Sequence, residues 1–264
     1  MVDSLEPAKR PPTLRIGCVQ YLNARPLIHG WPDPVVFGHP AALCAKLARG
    51  DLDLALVSSF EFLRNPIYRV VDGVAISSDG PVYSVVVAHL GEISEIEEIE
   101  LDAASETSVN LLRCLLAEKE LDPRFAAAST SAITQRRARL LIGDQAIRYR
   151  SEHEVDLHFW DLGEHWKKLV DLPFVYALWL VRPEVGAPSE IANRLRALRD
   201  TNLTNLDQLI AEEKGFSPEF CACYYRKHLR FGFGEREKDG LRTFANLCEK
   251  CGLLSEHNFG LDLV

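Results

Sequence analysis

The chain has 264 residues, 47% of them hydrophobic and 26% charged, with a net charge of -8 at neutral pH. That balance describes an ordinary globular chain with room for one large domain or two small ones. The acidic charge excludes a general nucleic-acid binder, which needs a basic face for phosphates, and no run nears the ~18 apolar residues of a membrane span.

Residues 1–12 hold Asp3, Glu6, Lys9 and Arg10 among three prolines. With no apolar core they read as a disordered leader, 1–13, and not as a signal peptide, which implies a cytoplasmic chain. The apolar run 14–19 predicts a buried first strand, and Pro26 suits the first position of a helix. Asn23 therefore falls in a strand-to-helix loop. A helix over 41–48 closes at Gly50, and a strand over 52–57 ends in Ser58 and Ser59 before a short helix opening at Phe60. Strands over 70–76 and 82–88 are joined by the turn 77–81, with Ser84 inside the second. A short strand over 98–101 leads to a helix over 107–118 with Val109, Leu112, Leu115 and Leu116 inward. The strand 138–142 ends in Gly143 and Asp144 before a helix from Gln145. The strand 174–181 follows, then helices over 189–211, 218–229 and about 237–251.

The last strand is followed only by helices, so it is expected to rejoin the first group. That gives lobe 1 as 14–90 plus 175–264 and lobe 2 as 91–174, with two crossovers and a cleft between them. Several cation- and thiol-rich stretches read as structural. Arg226, Lys227, His228 and Arg230 suit a solvated helix face. Cys248 and Cys251 share a face with Leu241, Phe244 and Leu247, and with Cys221 and Cys223 they match a zinc ribbon poorly, which leaves core packing. His153, His158 and His165 flank an alternation of Val155, Leu157 and Phe159 with Asp156, His158 and Trp160, the period of a solvated edge strand.

The polar groups at strand ends are the candidate site. In open α/β sheets the ligand crevice lies outside the carboxyl ends of the strands. Ser105-Glu106-Thr107-Ser108 opens an apolar helix, where a carboxylate could sit on free N–H groups, or where the residues only cap the helix. Asn23 alone could be a turn residue, Ser84 a core hydroxyl and Asp144 an N-cap.

Taken in order, these blocks resemble a known family. Gln20-Tyr21-Leu22-Asn23-Ala24-Arg25-Pro26-Leu27, Gly50-Asp51-Leu52-Asp53-Leu54-Ala55-Leu56-Val57-Ser58 and Asp79-Gly80-Pro81-Val82-Tyr83-Ser84 are similar to the chorismate dehydratases of the futalosine route to menaquinone. So are Ser105 to Val109, Leu140 to Asp144, Asp161-Leu162-Gly163, Trp166-Lys167, Leu172 to Val175 and Leu229 to Gly232. The resemblance covers most of 14–253. It implies an α/β, type II periplasmic-binding-protein-like fold, two lobes closing on chorismate as a small anionic substrate. It implies Asn23 and Ser84 at the reacting centre, with Thr107 and Ser108 on a substrate carboxylate and Tyr21, Ser58, Ser59, Gly143 and Asp144 around the ligand. Two positions depart: Glu106 stands where arginine is usual, and Gln20 where serine is common.

The implied reaction removes the C3 proton and the C4 hydroxyl of chorismate and leaves an aromatic ring, 3-[(1-carboxyvinyl)oxy]benzoate. No cofactor is demanded: the chain carries no G-x-G-x-x-G, G-x-x-x-x-G-K or H-E-x-x-H. None of the eight histidines falls in a strand-end block, although His39 and His89 could approach it. The substrate's own enolpyruvyl carboxylate is then the expected base. Two other classes stay open: a sister enzyme acting on cyclic dehypoxanthinyl futalosine, and a non-catalytic receptor or sensor of the same fold. The sequence leaves the oligomeric state undefined.

Overall fold

The structure, a computed structural model, describes residues 14–102, 106–127, 132–255 and 259–264. The leader and Ser105 lie outside the described residues.

Two five-stranded mixed sheets organise the chain. The first contains β1 (Ile16–Val19), β2 (Val35–Gly38), β3 (Leu54–Ser58), β4 (Arg69–Ser78) and β10 (Phe174–Val181), in the order β2-β1-β3-β10-β4. The second contains β5 (Val85–His89), β6 (Glu98–Leu101), β7 (Arg124–Ala127), β8 (Arg137–Ile142) and β9 (His158–Asp161), in the order β7-β6-β8-β5-β9. Within the first sheet β1 is parallel to β2 and β3, whereas β10 runs antiparallel between β3 and β4. Every residue of β1, β3 and β10 is buried, which is why these strands read as unbroken apolar runs covered on both faces.

Helices cover the sheets. In α2 (Pro40–Arg49) proline opens the first turn, Leu43, Cys44 and Leu47 turn inward, and Gly50 ends the helix at φ +79°. The short α1 (Arg25–Ile28) lies under α7 (Pro188–Thr204), whose Asn202 amide donates to the carbonyls of Pro26 and His29 at 3.1 and 2.9 Å. In the second lobe α5 (Gly143–His153) packs on β5 and β8, α6 (Leu162–Val170) packs on β5 and β9, and α4 (Glu106–Ala117) packs against α6. At the end of the chain α10 (Glu235–Lys250) packs against both β10 and α4. One continuous buried cluster joins the two sheets.

Several expectations are corrected. β5 pairs with β8 and β9, so the first sheet ends at Ser78 and the crossover spans 79–84, not the neighbourhood of residue 90. Ser84 precedes β5 and does not sit inside a strand. The helix expected over 189–211 divides at Asn205, whose side chain donates back to the Thr201 carbonyl at 2.9 Å, and α8 (Leu206–Ala211) starts afresh. The helix expected over 218–229 is α9 (Pro218–Cys223) followed by a five-residue π turn, Tyr224–His228. Val155 is 97% exposed and lies in a turn, so the edge strand starts only at His158. His153 lies on α5 and His165 on α6. Cys248 is fully buried, with its sulfur 3.7 Å from that of Cys114. Arg226 and Lys227 are exposed, but on the π turn and not on an α-helix. No described helix is long and apolar enough to cross a membrane.

Candidate functional site

The carboxyl end of β1 runs through Gln20 and Tyr21 into a 3₁₀ turn, Leu22–Ala24, that carries Asn23. The end of β3 supplies Ser58, the crossover supplies Ser84, the start of α4 supplies Ser108, and the end of β8 leads into Gly143. These groups line one cleft between the sheets, together with Tyr21, Tyr176 and the apolar side chains Val82, Val85 and Ile142.

Asn23 presents a buried amide oxygen with no hydrogen-bond partner. An unpaired acceptor of this kind costs about 1–3 kcal/mol until something donates to it. Ser84, fully buried, accepts a hydrogen bond from the Tyr224 phenol at 2.6 Å. Burial drives the Tyr224 phenol well above its usual range, which keeps it a donor. Tyr224 itself does not line the cleft.

Two loops are fixed by backbone bonds from acidic side chains. The Asp144 carboxylate accepts the Leu22 N–H at 2.8 Å and so pins the Asn23 turn to the start of α5. Burial raises the Asp144 pKa, and its carboxylate faces a neighbouring groove lined by Gln20 and Glu213. The Asp161 carboxylate accepts the N–H groups of Val82 and Tyr83 at 3.0 and 2.7 Å and also caps α6 through Glu164 at 3.1 Å. Tyr83 needs that support: its φ of +70° is left-handed, a conformation costing a non-glycine residue about 1–3 kcal/mol. Its ring is held 4.2 Å from the Arg150 guanidinium. The next residue is Ser84, so the strained tyrosine sets the direction from which that hydroxyl enters the cleft.

Gly143 is a required glycine. It has φ +58°, and a Cβ there would stand 2.9 Å from the Tyr21 ring. The Tyr21 hydroxyl, pushed up to about 12 chiefly by burial, lies 3.5 Å from His39 Nδ1 at the rim. His39 goes no deeper than this contact. His89 lies at the far end of β5, about 13 Å along the strand from Val85, where its Nδ1 is 2.6 Å from the Gly91 carbonyl.

The serine and threonine cluster separates into two tasks. Thr107 is 1% exposed, and its hydroxyl accepts the Phe60 N–H at 3.0 Å while bonding the Ser58 hydroxyl and lying 3.3 Å from that of Ser59. Ser59 donates to the Val175 carbonyl at 2.7 Å. Thr107 and Ser59 therefore join α4 to the first sheet behind the cleft wall, and Ser108 is the member of the pair that faces the cleft. The charge of Glu106 is answered by Arg64, whose guanidinium reaches it at 2.6 Å and also bonds Glu61.

Sequence reading missed Tyr224, Tyr176 and the loop-fixing task of Asp161. The tyrosines sit in stretches whose local pattern reads as helix and buried strand, and their partners are remote: Tyr224 meets Ser84 across 140 residues and Tyr176 meets Ser78 across 98.

Comparison with known proteins agrees with this architecture. A protein from Archaeoglobus fulgidus, AF1704, superposes with a TM-score of 0.70 at 19% identity, covering 91% of this chain and 98% of that one. The periplasmic aliphatic sulphonate binding protein SsuA of Escherichia coli superposes at 0.64 and 14% identity, with 96% of both chains covered. Both share the two-lobed periplasmic-binding-protein fold. The chorismate dehydratase of Thermus thermophilus is 29% identical over 87% of this chain and 93% of its own. A family model described as menaquinone biosynthesis matches residues 14–250, and by that span this chain belongs to the menaquinone biosynthesis family.

Proposed function

We propose that this protein is a chorismate dehydratase, a hydro-lyase acting in the cytoplasm and forming 3-[(1-carboxyvinyl)oxy]benzoate. The observation that carries the reading is the pairing of an unpartnered Asn23 amide oxygen with a buried, tyrosine-backed Ser84 hydroxyl in one cleft. An amide offers both an acceptor and a donor, which suits a substrate presenting a hydroxyl and a carboxylate close together. Ser108 and the start of α4 suit the ring carboxylate, through N–H groups and the helix dipole.

In this reading the enolpyruvyl carboxylate is held over the ring by Asn23 and Ser84. It takes the C3 proton, the electron pair moves into the ring, and the C4 hydroxyl departs with a proton as water. No side-chain carboxylate or imidazole is asked to act as base: the Asp144 and Asp161 carboxylates accept backbone N–H groups, and His89 is remote. The protein acts by orientation, which can supply about 7–11 kcal/mol in well-placed intramolecular reactions.

The purified protein, incubated with chorismate and followed by mass spectrometry, is expected to release one water per substrate without added metal or nucleotide. Chorismate that binds by calorimetry yet returns unchanged contradicts the reading and favours a receptor.

A further inference from the structure

The π turn Tyr224–His228 touches the site at three points. Tyr224 Oη donates to Ser84 Oγ at 2.6 Å, Tyr225 Oη donates to the Leu22 carbonyl beside Asn23 at 3.0 Å, and His228 Nδ1 lies 2.8 Å from the Pro81 carbonyl in the crossover. The wider π geometry is often found where a helix serves a site. Here adjacent tyrosines reach two loops that belong to different parts of the chain.

We infer that Tyr224 is a positioning residue for Ser84. A serine hydroxyl has one proton and a free rotor, so by itself it can donate in any of three staggered directions. The Tyr224 proton occupies one lone pair of Ser84 Oγ. The serine's own proton is then left for an acceptor on the cleft side, and a hydroxyl that already accepts a hydrogen bond is a stronger donor in a low-dielectric pocket. Tyr224 is fully buried and does not line the cleft, so it reaches substrate only through the groups it bonds, Ser84 and the Asn23 side chain. Its ring stacks on Phe220 at 5.5 Å, a contact that phenylalanine would keep.

This inference rests on the dehydratase reading, and the experiment separates the two. Wild type, Tyr224→Phe, Ser84→Ala and the double variant are compared for kcat and KM on chorismate, with folding checked by thermal melting. Tyr224→Phe is expected to lower kcat about tenfold, the worth of one hydrogen bond, with KM within about twofold. In the Ser84→Ala background the same change should cost clearly less, since only the contact to Asn23 is then left to lose. Tyr225→Phe is the control, with the same hydroxyl loss on the same turn: its effect should persist without Ser84. Wild-type kcat in folded Tyr224→Phe overturns the inference and leaves the reading standing. An equal loss in both backgrounds overturns it too, by making Tyr224 merely structural. Should Tyr224→Phe fail to fold, a ring-fluorinated tyrosine at 224, which keeps the ring and its stacking and alters only the phenol's donor strength, should change kcat in the wild-type background and clearly less in Ser84→Ala. A wild type that releases no water from chorismate overturns reading and inference together.

Discussion

Residue by residue, the cleft separates groups that face a ligand from groups that hold the walls. Thr107 and Ser108 are neighbours in sequence and carry the same hydroxyl chemistry, yet only Ser108 lines the cleft. Thr107→Val leaves the buried Phe60 N–H without its acceptor, so stability should fall by about 1–3 kcal/mol in denaturant unfolding. Ser108→Ala should raise KM about tenfold or more, since a charge-assisted bond to a carboxylate exists in ground and transition states alike. The opposite pattern would exchange their tasks. A sequence cannot divide this pair: the helix-start pattern is the same whether the hydroxyl points to a ligand or to Ser58. Ser84 raises the same difficulty. Its valine neighbours suggested a strand interior, whereas the left-handed Tyr83 ends the extended run one residue earlier.

At the level of elements, legibility follows burial. β1, β3 and β10 were readable because both faces are covered, so the chain carries unbroken apolar runs. β2 and β7 are four-residue edge strands, half-buried or exposed, and leave no comparable signal. Helix α6 carries a pH-dependent liability that its sequence does not announce. His165 lies on it with its ring 4.7 Å from that of Trp160, and burial, aided by Lys168, lowers its pKa from 6.5 to about 4. Between those values the unfolded chain binds a proton that the folded chain refuses, so acidification through that window favours unfolding. Wild type should therefore weaken relative to His165→Gln between about pH 7 and about pH 5, as read by denaturant midpoints. A difference that stays constant over that range would contradict the assignment.

For the whole molecule, the decisive feature is that the chain leaves the first sheet at 79–84, builds the second, and returns in β10. The first crossover passes the cleft and carries Ser84. The general plan was legible because the last strand is followed only by helices and must find a sheet already made. The exact handover was not, because β5 is as apolar as the strands of either sheet and only pairing assigns it. With the two sheets joined by one continuous core, the cleft is a preformed wall of hydroxyls and amides around an unpaired acceptor. The central claim is that this wall works by holding the substrate, and that no side-chain base takes part. The most direct measurement is kcat on chorismate, with binding by calorimetry, for Asn23→Ala, Ser84→Ala, Asp144→Asn and His39→Gln. The account predicts a loss of about 10²–10³-fold in kcat for each of the first two, as for removal of a positioned hydrogen-bonding group, with chorismate still bound. The other two should stay far milder. Abolished turnover in folded, chorismate-binding Asp144→Asn or His39→Gln, with Asn23→Ala active, would contradict it.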